Sequence, residues 1–141
     1  MNRRNNEGFT PLLYAAFNGH LNIIKFFVED HPVDYTVKTN TGLNPLHLAA
    51  QKNALMPFLY FKGKLDLFDL DKLGSTPLHW AAYSNSEEVV SYILSETEDL
   101  QKLNTRDAEG NTALAIAVAY GNTRVVRRLL IKGADRYCAN N

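Results

Sequence analysis

Gly74-Ser75-Thr76-Pro77-Leu78-His79-Trp80-Ala81-Ala82 decides the reading of this chain, because near copies of it stand on both sides. Gly42-Leu43-Asn44-Pro45-Leu46-His47-Leu48-Ala49-Ala50 precedes it. Gly8-Phe9-Thr10-Pro11-Leu12-Leu13-Tyr14-Ala15-Ala16 comes earlier still. Gly110-Asn111-Thr112-Ala113-Leu114-Ala115-Ile116-Ala117-Val118 follows as a divergent fourth copy. The opening glycines are 34, 32 and 36 residues apart. A period of this size marks a repeat array, in which each unit buries its apolar face only by stacking on its neighbours.

The same residue types recur at places where local physics asks for them. Each opening glycine suits a tight turn in the left-handed backbone region. Thr10, Asn44, Thr76 and Thr112 stand where a first helix begins, and their side-chain oxygens suit its free N–H groups. Pro11, Pro45 and Pro77 follow at the first helical position, where a missing N–H costs nothing. Eleven residues after each opening glycine comes Gly19, Asn53, Asn85 or Gly121, the residues that tolerate positive φ at a helix end. Apolar positions at helical spacing then predict a second helix, as in Leu21 to Phe27, Val89 to Leu94 and Thr123 to Leu130. In the second copy Pro57 falls in the first turn of that helix, where it is tolerated. Extended fingers are expected at 33–37, 65–69 and 102–106. Asp71 and Asp107 stand three residues before their opening glycines, and Asn5 and Thr39 take that place elsewhere. All four side chains can bond to local backbone. Glu96-Thr97-Glu98-Asp99 lengthens the third connector.

The period and the Thr-Pro-Leu-His-x-Ala core resemble the ankyrin repeat. The resemblance covers essentially the whole chain. It implies an all-α ankyrin-repeat solenoid of four helix-turn-helix repeats with β-turn fingers. As a single array over 1–141, the repeats fall at about 5–38, 39–70, 71–106 and 107–139. Gly133 to Asn141 then reads as the start of a fifth finger, so the chain is expected to be a piece of a longer protein.

Composition excludes several other classes. The 141 residues carry 15 basic and 15 acidic side chains, for a formal net charge of zero. A general nucleic-acid binder needs a basic excess to neutralise phosphates. Apolar runs reach eight residues, as in Ala54 to Phe61, against the roughly 18 needed to cross a bilayer. No membrane insertion by this chain is expected. The N-terminus lacks the apolar core of a signal peptide. One cysteine, Cys138, excludes an internal disulfide framework and a cysteine-based zinc cage. A cytoplasmic, reducing setting is the expectation. The zero sum hides an asymmetry. Ten of the fifteen acids lie between Asp66 and Glu109, whereas five bases and one acid follow from Arg124 onward.

No catalytic, metal or cofactor site is expected. His20, His31, His47 and His79 include no pair three or four apart on a helix. His47 and His79 belong to the repeat core, where the imidazole bonds neighbouring turn backbone. There is no nucleophile elbow, phosphate-binding loop or dinucleotide fingerprint. The carboxylate pairs Glu87/Glu88 and Asp69/Asp71 read as a helix start and a solvated finger. Cys138 reads as an incidental thiol beside Arg136.

What remains is a binding surface. The ankyrin resemblance implies a concave groove formed by finger tips and the ends of the first helices, holding a protein or peptide. It places Asn6, Glu7, Phe9, Phe17 and Asn18 there in the first copy. Asn40, Thr41, Leu43, Gln51 and Lys52 follow in the second. Lys72, Leu73, Ser75, Tyr83 and Ser84 follow in the third, with Ala108, Glu109, Asn111, Ala119 and Tyr120 in the fourth. Phe17, Tyr83 and Tyr120 would form an aromatic line with Gln51 in its gap. Such rings suit a protein partner. Trp80, the one tryptophan, either covers a neighbouring repeat or floors a pocket that grips proline or an aliphatic side chain. Arg124, Arg127, Arg128 and Lys132 recur at helical spacing, as a solvated outer face or as a site for anionic lipid.

A narrower resemblance is carried by Gly74 to Ser84, by Tyr92-Ile93-Leu94, by Pro45 to Gln51 with Leu59-Tyr60-Phe61, and by Arg127 to Arg136. These stretches resemble the N-terminal ankyrin arrays of DHHC-type protein S-acyltransferases, the palmitoyltransferases. In that family the array recruits substrates on the cytosolic face of an internal membrane such as the Golgi. The family's groove carries an Asn late in one first helix and a Trp in the next repeat. Asn18 and Trp80 match those positions two repeats apart, with Leu48 and Lys52 at the intervening places. The catalytic Asp-His-His-Cys motif is absent from these 141 residues, so no acyl transfer is expected from this chain itself. The alternative is a stand-alone cytosolic ankyrin scaffold or inhibitor.

Overall fold

The computed structural model describes residues 5–30 and 33–133. Among them lie four helix pairs: α1 (Pro11–Asn18) with α2 (Leu21–Asp30), α3 (Pro45–Gln51) with α4 (Leu55–Lys62), α5 (Pro77–Tyr83) with α6 (Glu87–Glu96), and α8 (Ala113–Ala119) with α9 (Thr123–Lys132). A single extra turn, α7 (Leu100–Leu103), stands between the third and fourth pairs. First helices pack in the order α1, α3, α5, α8, and second helices in the order α2, α4, α6, α9. The fold is therefore an all-α repeat solenoid.

Each first helix starts as its residues require. Thr10, Asn44, Thr76 and Thr112 accept from the backbone N–H of Leu13, His47, His79 and Ala115, at 3.0–3.3 Å. Such a cap contributes about 1 kcal/mol. Helix ends turn through positive φ at Gly19 (78°), Asn53 (52°), Asn85 (57°) and Gly121 (69°), at every position the sequence marks. Pro57 sits in the first turn of α4.

The expected extended fingers take a different form. Among the described residues no strand forms, and the connectors are side-chain-stabilised turns. Asp34 and Asp66 accept from the N–H two residues on, from Thr36 and Phe68. Lys102 and Leu103 belong to α7, which Asp99 caps through the Gln101 N–H. The lengthened connector thus leads into a helical turn just after Asp99, because an Asp cap and two leucines favour one.

The finger tips bond to one another in sequence. Asn40 N donates to Glu7 O, Lys72 N to Thr41 O, and Ala108 N to Leu73 O, at 2.8–3.0 Å. This ladder leaves no room at Gly42. A Cβ there would come within 2.8 Å of Lys72 N. Asn5, Asp71 and Asp107 each accept from the N–H two and four residues ahead. Thr39 keeps the second bond, to Leu43 N. The two replacements at this position therefore do the local work foreseen for them.

One continuous core threads the stack from Leu12 and Ile24 to Val125 and Leu129. Phe58 and Phe61 are its largest side chains, both fully buried. Each contributes about 1.5–3 kcal/mol by leaving water. Arg136, Cys138, His31 and the expected fifth finger beyond Gly133 lie outside the described residues.

Candidate functional site

His47 and His79 are pinned between repeats. His47 Nε2 donates to Ser75 O and His79 Nε2 to Asn111 O, both at 3.0 Å. A carbonyl only accepts, so Nε2 carries the proton and Nδ1 is bare. Nδ1 then accepts from the backbone N–H of the cap residue, Asn44 or Thr76. Each ring ties one repeat to the finger of the next. Burial holds both imidazoles below the usual histidine range, against the pull of those carbonyls and nearby Asp71 or Asp107. Both histidines are structural, as their motif position implies.

The carboxylates are more engaged than the sequence reading allowed. Asp71 is only 7% exposed. Its Oδ2 accepts from Trp80 Nε1 at 2.9 Å. Asp69 pairs with Lys38 at 2.9 Å and accepts from Asn44 Nδ2. Burial pushes the Asp69 carboxyl up, but Lys38, Asn44 and the Leu70 N–H hold it below the usual range. Glu87 pairs with Arg124 and Arg128. These acids bind neighbouring side chains and are not merely solvated. Two members of the basic stripe are thereby spent on α6.

The residues expected at a groove divide into two patches and a core position. The first patch is a cleft of about 300 Å³ between α5, α8 and their fingers. Leu73, Trp80, Tyr83, Asn111 and Tyr120 line it. The ring of Tyr83 stands 5.9 Å from Trp80 and 4.7 Å from Tyr120, edge-on to both. Leu73 and Tyr120 are each 60% exposed and Tyr83 44%. The second patch holds Phe17, Asn18 and Lys52 beside the start of α4, around a cleft of about 480 Å³. Lys52 Nζ lies 4.6 Å over the Phe17 ring. Phe9 joins this side through Phe17 and Tyr14. The aromatic line is thus interrupted, with Tyr83 and Tyr120 together and Phe17 apart.

Three positions stand apart from both clefts. Leu43 is 9% exposed and packs with Leu13 and Leu48, so it builds the core beneath the fingers. Ser84 is half-buried and closes α5 by donating its N–H to Trp80 O. Gln51 is half-buried at the end of α3 and lines neither cleft. Trp80 packs on the Leu13, Leu43 and Leu48 cluster and also lines the cleft between α5 and α8. Sequence reasoning missed Ile116 and Asp107 as lining residues. Asp107 was legible as a finger residue, and its turn aims it at the cleft.

Among the described residues, no helix is long and apolar enough to cross a membrane, and no His, Cys, Asp or Glu cluster suits a metal ion.

Comparison with known proteins agrees with this architecture. A family model described as ankyrin repeats (3 copies) matches residues 54–140, and one described as ankyrin repeats (many copies) matches residues 1–55. The palmitoyltransferase AKR1 of Lachancea kluyveri is 31% identical over 89% of this chain. Rabankyrin-5 of Mus musculus is 29% identical over 95% of it. The chain spans 17% of the first protein's length and 12% of the second's. A putative ankyrin repeat protein of Rickettsia bellii is 31% identical, with 94% of this chain and 73% of that protein covered. The period, the capped Thr-Pro-Leu-His turns, the stacked helix pairs and these matches lead to one conclusion: the chain belongs to the ankyrin-repeat family.

Proposed function

We propose that this chain holds a segment of a partner protein against its fingers and first helices, with the cleft between α5 and α8 as the anchor. An ankyrin array is a non-catalytic module for protein–protein interaction. The carrying observation is the exposed group Leu73, Tyr83 and Tyr120, gathered around the half-buried Trp80. Aromatic rings held rigid beside a concavity are the usual energetic centre of a protein interface. Replacing Tyr83 and Tyr120 by alanine should remove binding of peptides selected on the folded chain. Unchanged binding refutes the assignment of the cleft.

The context favoured for this module is the substrate-recruiting arm of a DHHC-type palmitoyltransferase, on the cytosolic side of an internal membrane. It is supported by the likeness to AKR1 and by the motif resemblances around Trp80 and Arg127. The alternative is a scaffold with no attached acyltransferase, with which the ankyrin likeness to Rabankyrin-5 is equally compatible. The full reading frame separates the two. Membrane helices and an Asp-His-His-Cys motif support the first reading, and their absence removes it.

A further inference from the structure

The cleft between α5 and α8 has a chemistry as well as a shape. Trp80 is held in place, because its indole N–H is fixed on Asp71 and Asp71 is itself gripped by the N–H groups of Leu73 and Ser75. Tyr83 meets Trp80 at 87° and Tyr120 at 85°, which makes a rigid aromatic corner. Aromatic faces carry negative potential and attract cations within about 6 Å.

The acidic side chains at this corner act in the same direction. Asp107 and Glu109 line the cleft, and among the described residues no lysine or arginine does. Lys72 and Arg106 adjoin lining residues in sequence, but the Arg106 guanidinium is directed at Gly110 O, 3.4 Å away. His79 contributes no charge near neutral pH, because its Nδ1 accepts from the Thr76 N–H. Between Asp66 and Glu109, eight acids besides the ion-paired Asp69 and Glu87 stand against three bases, and an acidic excess draws cationic partners in.

We propose that this cleft takes the side chain of an arginine or lysine from a basic segment of the partner protein. The proposal rests on the reading of the cleft as the partner's anchor and names what enters it. The volume of about 300 Å³ admits one long side chain. It does not admit a helix, which is about 10 Å across. The alkyl stem lies on Leu73 and Ile116, and the charged head reaches the ring faces and Glu109. A leucine or phenylalanine anchor would fill the apolar part but cover the exposed Glu109 carboxylate without giving it a partner, which is unfavourable.

The test is selection of a random heptapeptide phage library on the immobilised, folded chain. Selected peptides are then measured by fluorescence anisotropy against the wild type, Tyr120→Ala and Glu109→Gln. Both substituted residues are exposed, and thermal melts confirm that the variants fold. The expected peptides are rich in arginine or lysine. Tyr120→Ala should weaken them at least tenfold and Glu109→Gln about three- to tenfold. Exchanging the key arginine for citrulline, or acetylating the key lysine, should cost at least tenfold. Neutral or acidic peptides that depend on Tyr120, or citrulline peptides that bind equally well, overturn the cation proposal and leave the anchor reading standing. No selected peptide, or peptides indifferent to Tyr120→Ala, overturns both.

Discussion

The indole N–H of Trp80 donates to Oδ2 of Asp71 at 2.9 Å, joining the third finger to the helix that follows it. The same carboxylate accepts from Leu73 N and Ser75 N through Oδ1. Removing it leaves three donors near or within the core. Asp71→Ala is expected to cost about 3 kcal/mol, since bonds to a charged group are worth about 1.5–3 kcal/mol each and losses overlap. Trp80→Phe removes one donor and keeps the turn, at about 1–2 kcal/mol. Urea unfolding followed by circular dichroism reads both.

The bare Nδ1 atoms of His47 and His79 make stability depend on pH. Their folded pKa lies below the ordinary value of 6.5, because burial disfavours the charged ring. Below about pH 6.5 the unfolded chain takes up these protons before the folded chain does. Stability is therefore full above that pH and falls as pH drops through the folded values. The urea midpoint should decline between about pH 6.5 and pH 5. His47→Gln with His79→Gln should lower the midpoint at pH 8 and flatten that decline.

Two glycines with positive φ should respond differently. Gly42 has φ of 86°, and an added Cβ would meet the Lys72 backbone at 2.8 Å. Gly42→Ala is expected to cost about 3 kcal/mol, from strained backbone and a broken finger contact. Gly121 has φ of 69° with nothing within 4 Å of an added Cβ, and asparagine already holds its place at Asn53 and Asn85. Gly121→Asn should stay within about 0.5 kcal/mol of the wild type. Thermal melts of the two variants check the contrast.

Leu43, one residue after Gly42, is buried, whereas Leu73, one residue before Gly74, is exposed. Leu43→Ala should cost about 2–4 kcal/mol by leaving a cavity beside Leu13 and Leu48. Leu73→Ala should change stability by less than about 0.5 kcal/mol, as it removes an exposed side chain. Its effect should appear in peptide binding instead.

The sequence discloses the fold so fully because each repeat writes its own boundaries. Thr76 caps, Pro77 starts, Asn85 ends, and the period repeats the statement. What it conceals is local and three-dimensional. The turn Leu100–Leu103 is too short to show periodicity. Leu43 follows its opening glycine and Leu73 precedes its own, and only the packing shows Trp80 set against the first and the second left exposed. The pairing of Tyr83 with Tyr120 follows from how α5 stacks on α8, which spacing alone does not reveal. Asp107 reads as a turn residue, and its place on the cleft wall appears only once the fourth finger is laid against the third.

Nuclear magnetic resonance of the labelled chain, titrated with a selected peptide, tests the central claim most directly. The account predicts that the largest amide shifts fall on Leu73, Tyr83, Glu109, Asn111 and Tyr120, around one cleft. Shifts confined to α6 and α9, with those five amides unmoved, would contradict it.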